Sequence, residues 1–318
     1  MLALGIAVGV VAALVVATFL GTWIIERRHP PAGRFVPVTG GRLHVLEAGA
    51  GDDRLPVVLL HGASVNLHDL RLAIGGDLAA DHRVIMIDRP GHGWSERPGG
   101  KADAAPARQA DLVAEALKRL GIARAVVVGH SWSGALATAL ALRHPQRLAG
   151  LVLLAPATHP FPGGLTWYYT AAAVPVLGTL LAYTVAVPLG WLLIPPGLRW
   201  SFGPQPRPPH YRVRAALALA LRPAQFRANA QDLAALSLHL AAQAPLYPQI
   251  RVPTVVVTGD RDRVVSPRVH ARATAAAIPN AELIVLPGVG HMPHHAAPER
   301  VVAAIRRLAA AERSAAAG

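Results

Sequence analysis

One short stretch, Ala125–Leu142, constrains the fold more than any other part of the chain. It begins with four apolar residues, three of them valines, and continues from Ala135 as a run rich in alanine and leucine. The first part is typical of a buried parallel strand and the second of a helix, so the chain must turn sharply between them. Ser131 lies at this turn, with Gly129 and Ser133 two positions to either side. Small residues at this spacing are what a serine nucleophile on a tight strand-to-helix corner requires, although a non-catalytic turn fits the same pattern.

The composition indicates a large folded protein. The chain has 318 residues, 53% of them hydrophobic, which is enough for one α/β domain with an insertion. The formal net charge is +13, but two lysines occur and the arginines form no basic runs interleaved with aromatic residues. We therefore predict no nucleic-acid partner. Cysteine is absent, which removes disulfides, thiol catalysis and thiolate metal sites.

The N-terminal segment Leu2–Ile25 has 24 residues and no charge. This length is sufficient to cross a bilayer, so we predict a transmembrane anchor over residues 1–26 and a linker over residues 27–33. A signal peptide, the alternative, would carry its positive charge before the apolar stretch. Here Arg27, Arg28 and Arg34 follow it, and the positive-inside rule predicts a single-pass cell-membrane protein whose following domain is cytoplasmic.

From residue 34 the chain alternates between apolar strands and helical patterns. A hairpin is predicted around Thr39-Gly40-Gly41, and further strands at Val57–Leu60, Arg83–Ile87, Val126–Val128, Gly150–Leu154, Thr254–Thr258 and Leu283–Leu286. Helices are predicted near Leu67–Ala80, Pro106–Leu120, Ala135–Arg143, Pro267–Ala277 and Pro298–Ala310. Such alternation predicts an α/β fold with a mainly parallel, doubly wound sheet, whose site lies at the carboxyl ends of the strands. We assign the core to residues 34–156 and 251–311 and a disordered tail to residues 312–318.

Candidate catalytic residues follow three of these strands. The loop His61-Gly62-Ala63 follows the strand at Val57–Leu60, and a glycine-bearing loop there can aim a backbone N–H at an oxyanion. An acid, Asp260 or Asp262, follows the penultimate strand, and His291 follows the last one. With Ser131 these residues give the order Ser, Asp, His, which is the order of an α/β-hydrolase triad.

Five motifs together carry a resemblance to a known family. They are Val-Val-Leu-Leu-His-Gly, Asp-Arg-Pro-Gly-His-Gly-Trp-Ser, Val-Val-Gly-His-Ser-Trp-Ser-Gly, Gly-Asp-Arg-Asp-Arg-Val-Val and Gly-Val-Gly-His-Met-Pro. Over about residues 34–311 the chain resembles the α/β-hydrolase superfamily, in its esterase, perhydrolase and carbon–carbon hydrolase branch. The resemblance implies that Ser131 is the nucleophile, His291 the general base and Asp262 the acid that orients it. It also implies that the backbone N–H groups of Ala63 and Trp132 bind the oxyanion.

Each of these assignments has a rival in the sequence. Ser133 fits the small-residue rule less well than Ser131, because the turn favours glycine before the nucleophile. In the resembling family the acid comes three residues after the glycine, which selects Asp262 and leaves Asp260 as a capping or loop residue. The remaining rivals are histidines: His294 and His295 compete with His291, and His92 is either a base or part of a structural loop, the interpretation that we favour.

Further expectations concern the pocket and cofactors. We predict that the substrate pocket is lined by His61, Gly62, Ser64, Asn66, Trp94 and His130. No histidine or carboxylate cluster in the sequence has metal-ligand spacing, and the glycine turn lacks the Lys-Ser/Thr ending of a phosphate loop, so no metal or cofactor is predicted. A serine nucleophile disfavours the epoxide hydrolases and dehalogenases of the resembling family, which attack with a carboxylate.

Residues 157–250 interrupt the alternation, and we predict that they form a helical cap. The stretch Phe161–Leu198 carries no charge, yet a single crossing of a membrane here would separate Ser131 from the other catalytic residues. Its apolar face therefore either packs on the core or contacts the membrane interface near the anchor. Two further cap helices are predicted at Val213–Leu221 and Ala224–Leu240.

The resulting hypothesis is a membrane-anchored serine hydrolase. Its partners would be a small apolar, lipid-like ester or thioester and the membrane lipid around the N-terminal helix. A carbon–carbon hydrolase of a dienone-like carboxylate is the alternative, for which Asn66, Arg89 or a cap arginine would have to bind the substrate acid. A non-catalytic binding protein of the same fold is a third hypothesis, although such proteins commonly lack a member of the triad.

Overall fold

One mainly parallel sheet organises the chain after residue 33. The computed structural model describes residues 1–49, 54–162 and 167–317, and within them eight strands are ordered β1-β2-β4-β3-β5-β6-β7-β8. The strands are β1 (Arg34–Val38), β2 (Gly41–Ala48), β3 (Val57–Leu60), β4 (Val84–Ile87), β5 (Ala125–His130), β6 (Leu148–Leu154), β7 (Thr254–Gly259) and β8 (Ala281–Leu286). β2 pairs antiparallel with β1 and β4, and the remaining neighbours are parallel. The predicted sheet and its hairpin edge are therefore confirmed.

Thirteen α-helices are assigned within the described residues, and some of them cover the two faces of this sheet. They are α1 (Leu2–Arg28), α2 (His68–Leu70), α3 (Gly76–Ala79), α4 (Pro106–Arg119), α5 (Ser133–Arg143), α6 (Trp167–Ala173), α7 (Pro175–Thr184), α8 (Ala186–Phe202), α9 (Tyr211–Arg214), α10 (Pro223–Gln243), α11 (Ala273–Ala277), α12 (Pro293–Ala296) and α13 (Pro298–Ala317). α4 and α5 pack on one face, and α13 with the segment around α2 and α3 packs on the other. Because both faces are covered, the sequences of β3 to β7 are nearly continuous apolar runs, and every residue in them is buried.

Helices α6 to α10 form an insertion between β6 and β7, in the region where we predicted a cap. The predicted helix at Val213–Leu221 is interrupted, because α9 ends at Arg214 and a 3₁₀ turn begins at Leu217. Ala216, which lies between them, has a φ of 49°, in the left-handed region. The amide Nδ2 of Asn66 donates hydrogen bonds to two carbonyls at this break, so a contact distant in sequence stabilises a conformation that helix propensity disfavours.

Helix α1 is long and apolar enough to cross a membrane, and most of its surface is exposed. Its C-terminal half packs on the insertion, where Ile25 is buried among apolar residues of the insertion such as Val187. Among the residues that the structure describes, a second candidate span exists only if α7 and α8, which meet at an angle of 84°, are counted as one bent helix.

The C-terminal helix is longer than we predicted. We expected disorder over residues 312–318, but α13 continues to Ala317. The reason is local, because alanine, arginine and glutamate, which dominate this stretch, have high helix propensity.

Candidate active site

Ser131 occupies the sharp corner between β5 and α5. Its φ is 53°, a left-handed conformation that is strained for a residue with a side chain. The corner is held because the backbone N–H of Ser131 donates to the carbonyl of Leu154 on β6, at 2.9 Å. A Cβ at Gly129 would collide with the Ser133 carbonyl, so the strand can approach the helix this closely only with glycine there. The turn thus presents the Ser131 hydroxyl at the carboxyl edge of the sheet.

Two loops bring a histidine and a carboxylate to this hydroxyl. The Nε2 atom of His291, in the loop after β8, lies 2.9 Å from Oγ of Ser131. Its Nδ1 atom lies 2.8 Å from Oδ2 of Asp262, in the loop after β7. The other oxygen of Asp262 accepts backbone N–H groups from Val264 and Val265, at 2.8 and 2.9 Å. The carboxylate is therefore oriented by the backbone, and the histidine lies between serine and acid as in a Ser-His-Asp triad.

Two backbone N–H groups adjoin the serine. Within the described part of the chain, no acceptor takes a hydrogen bond from the N–H of Ala63 or from that of Trp132. Gly62, which precedes Ala63, is packed closely on the nucleophile: a Cβ there would lie 3.1 Å from the Cβ of Ser131. Unpaired N–H groups flanking a serine suit an oxyanion, which requires preorganised donors.

The rival residues are engaged in other contacts. Oγ of Ser133 is fully buried and donates to the carbonyl of His61 at 2.5 Å. Asp260 accepts the backbone N–H of Gly288 at 2.7 Å, which is the loop role we expected for it. His92 is buried beside Arg89, and burial lowers its pKa well below the usual value, so the ring is neutral and part of a packed loop.

Of the predicted pocket residues, His61 and Gly62 lie directly against the nucleophile corner. Burial lowers the pKa of His61 to about 4, so its ring is neutral at pH 7. Its Nε2 atom accepts the backbone N–H of Arg89 at 3.0 Å, which leaves Nδ1 to donate to the Gly62 carbonyl at 2.8 Å. His61 thus fixes the shape of the loop that carries Ala63.

Ser64 and Asn66 bind the helical insertion. Ser64 forms two hydrogen bonds with Asn229 of α10, one from its backbone N–H at 2.8 Å and one to its hydroxyl at 3.0 Å. The Asn66 amide donates to the carbonyls of Ala215 and Ala216, at 2.9 and 3.2 Å. Both residues connect the loop after β3 to the insertion.

Trp94 and His130 have different neighbours. The indole N–H of Trp94 donates to the carbonyl of His29, just beyond α1, at 3.0 Å, and Arg222 lies over its ring at 4.4 Å. His130 lies 3.1 Å from the carbonyl of His291 through Nε2, and burial holds its pKa well below the usual value. A lining role for either residue stays a prediction.

A buried ion pair that sequence reasoning missed supports the Trp132 corner. Arg89 and Asp232 are both 0% exposed at the side chain, and Nη1 lies 2.7 Å from Oδ2. The guanidinium carbon of Arg89 lies 4.1 Å above the Trp132 ring, and the indole N–H donates to the backbone carbonyl of Asp232 at 3.2 Å. The available signal was a lone acid among the apolar residues of α10. α10 is thereby tied to the residue whose N–H flanks the nucleophile.

A second missed carboxylate, Asp69, lies beneath His294 and His295. The Nε2 atoms of these histidines lie 3.1 and 2.9 Å from its oxygens, and the Tyr211 hydroxyl donates to it at 2.6 Å. Although burial alone would raise the pKa of Asp69, the two histidines hold it well below the usual value. Asp69, His294 and His295 are also close enough together to share a metal ion, with ligand atoms within 4.8 Å of one another. Their mutual hydrogen bonds already satisfy the carboxylate.

Several known proteins are similar to this chain in sequence and fold. A 2-hydroxymuconate semialdehyde hydrolase of Pseudomonas putida is 30% identical over 83% of this chain and 89% of its own. Haloalkane dehalogenase 2 of Mycobacterium bovis is 25% identical over 87% of this chain and 94% of its own. A thermophilic esterase from Thermogutta terrifontis superposes with a TM-score of 0.65 at 26% identity, over 86% of this chain and 96% of its own. The model of the α/β-hydrolase fold family matches residues 56–298, so the chain belongs to this family of hydrolases.

Proposed function

We propose that the chain is a membrane-anchored serine hydrolase that cleaves an apolar carboxylic ester or thioester through an acyl-enzyme. One observation carries the proposal: Oγ of Ser131 lies 2.9 Å from His291, which in turn lies 2.8 Å from Asp262. A serine within reach of an oriented imidazole is the arrangement that activates a hydroxyl toward a carbonyl.

The reaction has two steps. His291 Nε2 takes the hydroxyl proton as Oγ of Ser131 attacks the carbonyl carbon, and the oxyanion lies against the N–H groups of Ala63 and Trp132. His291 then gives this proton to the leaving alcohol or thiol as the bond to it breaks, which leaves the acyl group on Ser131. In the second step His291 deprotonates a water that attacks the acyl carbon, and it returns the proton to Oγ as the acid departs. Asp262 stabilises the imidazolium in both steps.

The membrane anchor is the helix α1. It is apolar along its length, and exposed side chains such as Leu4, Phe19 and Leu20 would be unfavourable in water. Arg27 and Arg28 at its C-terminal end agree with a cytoplasmic orientation of the hydrolase fold. An anchored enzyme with an apolar insertion suits substrates that partition into lipid.

A carbon–carbon hydrolase is the second candidate, and the relative from Pseudomonas putida favours it. This reaction requires a cation or amide to bind the carboxylate of the substrate. Arg89 is paired with Asp232, the Asn66 amide is bound to backbone carbonyls, and Arg222 is paired with Glu26 at 2.9 Å. With these three residues engaged, a carbon–carbon hydrolase would have to bind the carboxylate with an exposed cap arginine such as Arg199 or Arg214, and we favour ester hydrolysis. The dehalogenase reaction is disfavoured because serine replaces the carboxylate nucleophile that it needs.

A fluorophosphonate probe tests the nucleophile. We expect labelling of the detergent-solubilised wild type and of Ser133→Ala, and no labelling of Ser131→Ala. Labelling that survives Ser131→Ala would contradict the assignment, and an unlabelled wild type would favour a binding protein. Turnover of 4-nitrophenyl esters of increasing acyl length then tests the substrate class. A preference for the shortest acyl chain would contradict a lipid-like substrate.

A further inference from the structure

The outer surfaces of α7 and α8 are apolar and exposed. Val176 on α7 and Leu192 and Leu193 on α8 are 82%, 71% and 69% exposed. We propose that α7 and the first half of α8, residues 175–193, are immersed in the bilayer beside α1 and that substrate reaches Ser131 from the lipid. This inference rests on the proposed anchoring by α1.

The depth of α7 and α8 in the bilayer follows from how α1 packs against them. One stripe of α1 is buried or half-buried against the insertion: Leu14, Val15, Thr18, Gly21, Thr22 and Ile25. Around the middle of this stripe the ring of Phe19 lies 5.9 Å from that of Tyr183 on α7. Ile25 packs with Val187 of α8. Helices α7 and α8 therefore both lie alongside the C-terminal half of α1.

The length of α1 decides whether this half lies in lipid. Residues 2–13, which precede the stripe, extend over about 18 Å, whereas the hydrocarbon core of a bilayer is about 30 Å thick. About 20 residues are needed to span it, so a spanning α1 must place the turn Thr18–Gly21 in the hydrocarbon. Whatever packs on this turn lies at the same depth.

The opposite side of α1 supports the same depth. Behind the stripe, Val16, Leu20 and Trp23 are exposed by 56%, 58% and 55%, and Ile24 by 41%. These side chains favour hydrocarbon down to the last turn before Glu26. Lipid that covers them on one side of α1 meets α7 and α8 on the other side.

The insertion is built for such an environment. No charged residue occurs from Phe161 to Leu198, and the first one, Arg199, is exposed. An arginine followed by the exposed Trp200 is typical of the headgroup level, where both side chains have a polar end and an apolar body. The 84° bend between α7 and α8 lets the chain enter the bilayer and return on the same side. Continuity with α1 makes lipid, rather than a second protein, the occupant of this surface.

The far end of α8 meets the catalytic loops. Phe202 packs with Met292, the residue after His291, and the backbone N–H of Gly290 donates to Gln205 at 2.9 Å. A cavity of about 390 Å³ lies here, between Trp200 and the two arginines that flank Asp262. An acyl ester resident in the bilayer would thus follow α8 to the loops that carry Asp262 and His291 without crossing bulk water.

Single-cysteine labelling tests the immersion, since the natural chain has no cysteine. Leu192→Cys and Val176→Cys probe the insertion, Ala7→Cys probes α1, and Lys118→Cys is the solvent control. Each full-length variant is labelled with a nitrobenzoxadiazole fluorophore and reconstituted into phosphatidylcholine–phosphatidylglycerol vesicles. We expect spin-labelled lipid to quench the probes at Leu192, Val176 and Ala7 but not at Lys118.

The outcomes separate the two proposals. Quenching at Ala7 without quenching at Leu192 and Val176 would overturn the immersion and leave the anchor intact. No quenching at Ala7 would overturn the anchor itself.

A kinetic pair adds a functional readout. Leu192→Glu should slow hydrolysis of a vesicle-resident ester and leave a water-soluble ester unaffected, whereas Leu238→Glu, at an equally exposed leucine on α10, should change neither. Equal effects of the two substitutions would overturn entry from the lipid.

Discussion

The buried pair of Arg89 and Asp232 gives the sharpest energetic prediction. Neither side chain is exposed to solvent, and their closest atoms lie 2.7 Å apart. Leucine at position 232 would remove a carboxylate that binds Arg89 through one oxygen and Arg97, at 2.8 Å, through the other. The guanidinium of Arg89 would then lose its hydrogen-bonded counter-charge where water cannot reach it. Removing one partner of a buried pair costs about 3–5 kcal/mol, so we expect the free energy of unfolding of Asp232→Leu to fall by that amount.

Urea unfolding of the full chain in detergent, followed by tryptophan fluorescence, measures this loss. The matched control is Asp111→Leu, which removes the contacts of Asp111 with Arg143 and His144, whose side chains are 50% and 26% exposed. Exposed pairs contribute about 0–1 kcal/mol, so the control should change little. The double variant Arg89→Met/Asp232→Leu removes both fully buried charges and leaves only Arg97, which is 11% exposed, without its carboxylate partner. It should therefore recover part of the loss.

Two results would refute this reasoning. The first is unfolding of Asp232→Leu at the same urea concentration as Asp111→Leu, which would mean that Gln109 and trapped water compensate Arg89. Alternatively, the double variant could be less stable than Asp232→Leu, which would mean that packing and not charge holds the two residues together.

Three further predictions concern the active site. Asp262→Asn should lower kcat by about 10⁴-fold on a 4-nitrophenyl ester, because the histidine loses its orienting acceptor, whereas equal losses in Asp260→Asn would contradict the assignment. Gly62→Val should abolish fluorophosphonate labelling while circular dichroism stays unchanged, since a Cβ there lies 3.1 Å from the Cβ of Ser131. His61 has a pKa of about 4 when folded, below the usual 6.5, so the unfolded chain binds more protons in this window and the free energy of unfolding should fall as pH drops from 6.5 to 4. Urea titrations at pH 7 and 4.5 measure this change, and a slope no smaller in His61→Gln would contradict it.

The sequence predicts what is encoded locally. Ser131 is recognisable because the strand, the small residues and the helix of its turn are consecutive, and Asp262 and His291 because each directly follows an apolar strand. The central strands were predicted to within a few residues because burial on both faces demands apolar runs. The carboxyl ends of parallel strands meet at one edge of the sheet. Residues that directly follow such strands in the sequence are therefore expected to lie close together in space.

Contacts between distant residues were not predictable in this way. Asp232 lies 143 residues from Arg89, Asp69 lies 225 residues from His294, and Arg222 lies 196 residues from Glu26. Each pair joins charged residues whose separation in the sequence follows no fixed spacing, so no local pattern indicates the partner. The helix break at Ala216 was not predicted for the same reason. Helix propensity carries no information about the Asn66 amide, which donates a hydrogen bond to the Ala216 carbonyl.

The contacts at the end of α1 have a consequence for how the enzyme moves. Arg222 is paired with Glu26 and also donates to the carbonyl of Gly93, while the Trp94 indole donates to the carbonyl of His29. The last turn of α1 is therefore joined to the insertion and to the loop after β4 at once, in addition to its covalent connection to β1 through residues 29–33. With α1 in a bilayer, the domain can translate and spin about the membrane normal but cannot tumble. Its search for substrate then becomes diffusion in two dimensions with one face always turned toward the lipid.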